Sequence, residues 1–127
     1  MMRKSMYCLL LSGMLLCFAK QSGAETAGEM VSACRAIEAA EVQNNHLMLP
    51  QDFKSGQCWG AFGVLQAVTS YLNPDKTPML GVCATHGTRT QMIAIFISYV
   101  ARHPATYNKD FELVALASLM EVYPCRK

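Results

Sequence analysis

The chain has 127 residues, of which 52% are hydrophobic and 16% are charged, and its formal net charge is +2 at pH 7. A charged fraction this far below the usual value of about 25% excludes a disordered tail and a basic arm that binds nucleic acid. The remaining classes are a compact domain, a membrane segment, or a mixture of the two.

The N-terminal segment has the organisation of a secretory signal peptide. Two basic residues precede an uncharged, mainly apolar run over residues 6–19, and small residues follow at 22–24. About 14 such residues are too few to span a bilayer, which needs roughly 20. We therefore predict a cleaved signal over residues 1–24, rather than a membrane anchor or a lipoprotein. The mature domain would cover residues 25–127, with no stable membrane insertion.

Removal of the predicted signal changes the charge balance. Residues 1–24 hold three basic residues and no acidic one, so the mature chain keeps 8 of the 11 basic residues against 9 acidic ones. The resulting net charge of −1 gives no reason to expect nucleic acid as a partner. The exported chain of 103 residues is long enough for one small hydrophobic core.

The cysteines that remain in the mature chain are Cys34, Cys58, Cys83 and Cys125. In an exported domain of this size, four cysteines predict two disulfide bonds. Zinc binding is the competing use, because Cys83 and His86 form a C-x2-H pair. No second paired half-site accompanies that pair, so we expect neither a metal nor another cofactor.

Apolar periodicity and capping signals predict four helices. Thr26 and Glu29 form a capping box for a first helix over about residues 27–42, which the pair Asn44-Asn45 ends. A loop follows, and the second helix begins near residue 55 or 56.

Two glycines, Gly60 and Gly63, lie inside the second predicted helix. At this spacing they occupy nearly the same face, so they indicate close approach of either another helix or a ligand. We favour packing by another helix.

The third helix follows a second capping box, formed by Thr88 and Gln91. The β-branched content of residues 92–100 would also suit a buried strand, but the cap, the length and the stop before Pro104 favour a helix.

Asn108 is expected to cap the fourth helix. That helix is apolar on two sides and is therefore expected to be mostly buried. Its second apolar side consists of Leu113, Leu116, Ala117 and Met120.

These elements predict an all-α fold, a small disulfide-bonded bundle of about four helices. Antiparallel helices with short loops bring the end of the first helix to the start of the second. They also bring the loop after the second helix to the end of the fourth. A bridge needs Cα atoms within about 7 Å, so this arrangement favours the pairs Cys34–Cys58 and Cys83–Cys125 among the three connectivities.

The sequence carries no pattern that predicts catalysis. With four cysteines paired no thiol nucleophile remains, the histidines are scattered, and the carboxylates form no acid–base pair. We do not expect an enzyme. His86 and Arg89, near the start of the third helix, are the candidate contacts for a partner, and the alternative is a solvated loop.

Long uncharged stretches point to a protein partner. No charged residue lies between Lys54 and Asp75, between Lys76 and Arg89, or between Arg89 and Arg102. Four helices of this size cannot bury every face, so uncharged helix surface implies burial against another chain. A homodimer or a complex with a different protein would provide that burial. The weaker alternative is a surface that is polar but neutral.

Several short elements resemble those of a known family. In chain order they are Cys58-Trp59-Gly60, Cys83, Thr88-x-x-Gln91, Tyr99-Val100-Ala101-Arg102-His103-Pro104 and Leu119-Met120-Glu121-Val122-Tyr123-Pro124-Cys125. Over about residues 30–126 the chain resembles the resistance-associated/Tai family of type VI secretion immunity proteins. The resemblance implies an exported, all-helical, disulfide-bonded periplasmic protein that binds a peptidoglycan amidase effector and blocks its active site.

The same resemblance implies inhibition by occlusion, in which a loop or helix end fills the catalytic cleft. The loops over residues 44–55 and 73–87 are the candidates for that role. A rival from another class is a periplasmic helical stress chaperone, or a structural orphan of the same fold with no toxin partner.

Overall fold

A computed structural model describes residues 24–40, 42–43, 46–84 and 86–126. The predicted small all-α bundle of four helices is confirmed. The regular elements are α1 (Ala27–Glu38), β1 (Val42–Gln43), β2 (His46–Leu47), α2 (Phe53–Thr69), α3 (Arg89–Arg102), a 3-10 helix (Pro104–Thr106) and α4 (Phe111–Val122). The predicted signal peptide lies outside the described residues, except for Ala24.

Both predicted capping boxes are present. At the start of α1, Glu29 N donates to Thr26 Oγ1 (3.3 Å), and Thr26 N donates to the Glu29 carboxylate (2.8 Å). At the start of α3, Gln91 N donates to Thr88 Oγ1 (3.3 Å), and Thr88 N donates to Gln91 Oε1 (2.9 Å). The bonds from the Thr26 backbone and hydroxyl lower the pKa of Glu29, because they stabilise its charged form.

The predicted boundaries of α1 and α2 are wrong by a few residues. α1 ends at Glu38 rather than near 42, because the chain turns into an antiparallel pair in which Val42 faces Leu47. The predicted stop at Asn44-Asn45 lies outside the described residues. α2 starts at Phe53, two residues early, because the Asp52 carboxylate caps it by accepting from Ser55 N at 2.9 Å.

The start of α4 also differs from the prediction. Asn108 does not cap it: Asp110 occupies the N-cap position and makes no side-chain capping bond. Backbone bonds fix this segment instead. Ala27 N donates to Lys109 O at 2.8 Å, and Phe111 N donates to Glu25 O at 2.8 Å. The start of α4 is therefore tied to the start of α1.

α1 and α3 each pack against the other three helices of the bundle. Three phenylalanines meet in the core: Phe62 of α2, Phe96 of α3 and Phe111 of α4. Their ring centroids lie 5.4–5.6 Å apart in tilted or edge-on contact. Aromatic rings in this geometry stabilise the fold by more than the burial of their apolar area alone. They join α2, α3 and α4 inside the core.

α4 is not mostly buried, contrary to the prediction. Its inner side is buried, but Leu113 is 66% exposed and Met120 is 45% exposed on the other side. α4 packs mainly against α1 and α3, and no other helix among the described residues covers that outer side. Periodicity identified two apolar sides correctly, but on the second side Leu116 packs against the core whereas Leu113 and Met120 stay exposed.

Two disulfides fasten the bundle in the predicted pairing. Cys34 of α1 is bonded to Cys58 of α2, with the Cα atoms 5.3 Å apart. Cys83, in the loop between α2 and α3, is bonded to Cys125 beyond α4, with the Cα atoms 5.1 Å apart. Such bonds indicate an oxidising compartment outside the cytoplasm. In the described part of the chain, no helix is long and apolar enough to cross a membrane.

Candidate protein interaction surface

One side of α2 is exposed and carries no charge. Its members follow one another at intervals of three or four residues, which places them on one side of the helix and the turn after it. We call this side the α2 outer face; it consists of Phe53, Gly56, Gly60, Val64, Ala67 and Tyr71. Phe53 is 82% exposed, Val64 is 64% exposed and Tyr71 is 57% exposed.

The turn after α2 extends this apolar surface. Asn73 N donates to Thr77 O at 2.8 Å, and Met79 N donates to Tyr71 O at 2.9 Å, so the turn folds back on the helix end. Leu72 and Met79 are each 56% exposed beside Tyr71. Apolar side chains therefore continue from the helix onto a hydrogen-bonded turn, which belongs to the predicted contact loop 73–87.

The Asp75 side chain makes this turn rigid. Its carboxylate accepts from the Thr77 hydroxyl and from Thr77 N, the latter at 2.9 Å. These two bonds lower the pKa of Asp75, because they stabilise its charged form. Lys76 has a φ of 66°, the left-handed conformation that lets the chain reverse here.

The other predicted contact loop, 44–55, lies next to α2 in its described part. Residues 44 and 45 lie outside the described residues. Leu49, Pro50 and Gln51 line a shallow cleft of about 260 Å³ together with Trp59. Met48 is 56% exposed. The cleft adjoins the start of the α2 outer face at Gly56.

Gly60 and Gly63 of α2 have different surroundings, and neither contacts another helix backbone closely. A Cβ placed on Gly60 would meet nothing within 4 Å. A Cβ placed on Gly63 would lie 3.1 Å from the guanidinium carbon of Arg89. The prediction of a packed helix is therefore wrong at Gly60. At Gly63 the neighbour is one side chain from the first turn of α3.

This difference predicts different changes in stability for two matched substitutions. Gly60→Ala should raise the free energy of unfolding by about 0.5–1 kcal/mol, because it removes a flexible glycine from a helix interior without a clash. Gly63→Ala should gain less than Gly60→Ala or lose stability, because its methyl group presses on Arg89. Urea unfolding of both variants measures the difference. Equal gains would show that the guanidinium does not pack against Gly63.

Arg89 lies at the edge of the α2 outer face. Its guanidinium carbon is 4.4 Å from the ring centroid of Trp59, a cation–π geometry. The guanidinium thus lies beside both Trp59 and Gly63 of α2. Its Nε is buried and has no hydrogen-bond partner among the described residues.

The two predicted contact residues, His86 and Arg89, differ in how far their side chains are buried. Arg89 is half-buried against α2, whereas His86 is exposed in the turn before α3. His103 is the C-cap of α3, and its Nε2 lies 3.8 Å from the Glu121 carboxylate. None of the described His, Cys, Asp and Glu residues forms a group of three that could hold a metal ion. Cys83 is disulfide-bonded, which removes the thiolate that the C-x2-H pair would need.

The α2 outer face is the feature that sequence reasoning missed in part. The lack of charge was visible, but Phe53 and Tyr71 were not assigned to a surface. A usable signal exists: Phe53, Val64 and Tyr71 are separated by 11 and 7 residues, close to three and two helical turns.

Comparison with protein-family models, with curated proteins and with solved structures finds no match to this chain. The description of its surface therefore depends on the geometry given above.

Proposed function

We propose that this protein is an exported, periplasmic immunity protein that binds a type VI secretion peptidoglycan amidase effector and occludes its active site. The observation that carries the binding role is the α2 outer face, continued by Leu72 and Met79. Several exposed apolar side chains along one uncharged side of a helix are typical of a site that another protein covers. The partner class comes from the resemblance of the sequence elements to the immunity family.

The disulfides support this role physically. Cys58 fastens α2 to α1 directly beneath the outer face, and Cys83 fastens the loop that leads to α3. A surface held in its binding conformation loses less conformational entropy when the partner docks. The hydrogen-bonded turn at Asp75 acts in the same way. A rigid turn beside an apolar helix is suited to entering a cleft.

Inhibition is the direct test. The purified chain, lacking residues 1–24, is mixed with amidases encoded beside type VI secretion genes in the same genome, and hydrolysis of isolated peptidoglycan is followed. We expect one amidase to form a stable complex and to lose its activity at a stoichiometric amount of this chain. If none of those amidases binds or is inhibited, the proposal is wrong.

A charge placed on the α2 outer face should abolish binding without unfolding the chain. Val64→Glu should raise the dissociation constant for the amidase at least about 100-fold, or roughly 2.7 kcal/mol, because docking would bury an unpaired carboxylate. Leu113→Glu is the matched control, since Leu113 is 66% exposed on α4 and Val64 is 64% exposed on α2. Titration calorimetry measures both. Loss of binding in the Leu113 variant alone would assign the interface to α4.

A stress chaperone without a toxin partner is the rival, because exposed apolar surface also suits the capture of unfolded clients. The two functions differ in strong acid. A chaperone of this kind would open there and prevent aggregation of an acid-unfolded client, as measured by light scattering. We expect this disulfide-bonded chain to keep its helical circular dichroism and to leave client aggregation unchanged.

A further inference from the structure

Arg89 lies where no described carboxylate pairs with its positive charge. It is the first residue of α3, and α3 has no acidic residue in its first turn. The N-terminal end of a helix carries partial positive charge, so a cation there is unfavourable. The described ion pairs join Arg102 and His103 to Glu121, and neither involves Arg89.

The side chain is nevertheless fixed in place. Trp59 covers one part of the guanidinium at 4.4 Å, and the backbone at Gly63 leaves just enough room beside it. The Nε atom is buried without a partner, whereas the residue as a whole is only half-buried. In the described chain no hydrogen bond uses the terminal nitrogens of the guanidinium, which lie 3.2 Å and 3.3 Å from the position that a Cβ on Gly63 would take.

We propose that Arg89 is the receptor for a carboxylate of the partner protein, an Asp or Glu side chain that docks at the edge of the α2 outer face. A guanidinium binds a carboxylate through two parallel hydrogen bonds, which a lysine ammonium does not reproduce. A negative charge seated here also offsets the repulsion between Arg89 and the start of α3.

The surroundings favour a protein carboxylate over a small anion. Arg89 borders an uncharged surface that includes Gly60 and Val64, so a partner must supply apolar contact beside the charge. Arginine is one of the residue types enriched among those that dominate binding energy at protein interfaces. This inference rests on the proposed function, because it takes the partner to be a protein that covers the α2 outer face.

The first experiment needs no partner. Arg89→Met keeps an unbranched side chain against Trp59 but removes the charge and the buried donor. If Arg89 serves a ligand rather than the fold, the denaturation midpoint of Arg89→Met equals or exceeds that of the wild-type chain. Arg102→Met, which removes the described bond to Glu121, is the control and should lower the midpoint slightly. A large drop for Arg89→Met alone would make Arg89 a structural residue and overturn the inference.

The second experiment uses the inhibited amidase as the probe. Arg89→Met and Arg89→Lys should each weaken the complex at least tenfold, whereas Arg102→Met should change the dissociation constant less than twofold. Replacing the contacting Asp or Glu of the amidase by alanine should then have no further effect in the Arg89→Met background. If both Arg89 variants bind the amidase as tightly as the wild-type chain does, the inference is overturned and the proposed function stays intact.

Two further outcomes would also overturn the inference. If the wild-type chain binds none of the amidases, the proposed function and this inference both fail. If sedimentation shows a dimer of the wild-type chain that Arg89→Met dissociates, the carboxylate belongs to a second copy and the assigned partner is wrong.

Discussion

Replacing both cysteines of a bridge by alanine should destabilise the chain by several kcal/mol. In the loop-entropy account, a bridge over 24 residues of sequence separation, as in Cys34–Cys58, is worth about 3.5 kcal/mol, and one over 42, as in Cys83–Cys125, about 4 kcal/mol. The two closed loops do not overlap in sequence, so the two losses should add approximately. For a domain of this size, either loss removes a large part of the total stability.

Guanidinium unfolding of the two paired alanine variants measures these effects. The control is the wild-type chain unfolded in reductant, which should match a variant that lacks all four cysteines. Both Cys34 and Cys58 are fully buried, so alanine is preferred to serine, which would bury an unpaired hydroxyl. A loss below about 1 kcal/mol for both pairs would show that the cross-links restrict the unfolded chain much less than the loop-entropy account assumes.

The bridges also matter for the proposed docking surface. Cys58 immediately precedes Trp59, the ring that covers Arg89, and Cys83 lies in the loop that enters α3. Cys83 N additionally donates to Tyr123 O at 2.9 Å, so the backbone retains part of that attachment without the bridge. We therefore expect loss of Cys34–Cys58 to disturb partner binding more than its smaller entropy suggests.

Local signals in the sequence predicted most of the fold. The capping boxes at Thr26 and Thr88 were recognised because their partners lie three residues away, within one helical turn. The disulfide pairing followed from which helix ends meet, which depends on connection lengths and not on atomic detail. Where no local cap exists, as at Asp110, the start of α4 is set by backbone bonds to the start of α1 and could not be predicted.

Tertiary contacts explain what sequence reasoning missed at the surface. Periodicity shows which side of α4 is apolar, but whether Leu113 is covered depends on how many helices surround it. Arg89 was identified as a candidate contact from its position near a helix start. Its neighbours Trp59 and Gly63 lie more than 25 residues earlier, so no local pattern connects them. The preorganised guanidinium is visible only when α2 and α3 are placed side by side.

Two phenylalanines on neighbouring helices should lose very different amounts of stability when each is replaced by alanine. Phe96→Ala should lower the free energy of unfolding by about 3–5 kcal/mol, because it leaves a cavity where three rings meet. Phe96 is 0% exposed and contacts the rings of Phe62 and Phe111 at 5.5 Å and 5.4 Å. Phe53→Ala, at a ring that is 82% exposed, should change stability by no more than about 0.5 kcal/mol.

The two variants separate folding from binding. An exposed phenylalanine gives the isolated domain almost nothing, so its contribution must come from what covers it. Phe53→Ala should therefore keep the unfolding midpoint and weaken the amidase complex, whereas Phe96→Ala should lose the fold and the complex together. A surface substitution normally changes stability by far less than about 2 kcal/mol. If Phe53→Ala destabilised the domain by about 2 kcal/mol or more, the ring would pack against the free chain. The α2 outer face would then not be free for a partner.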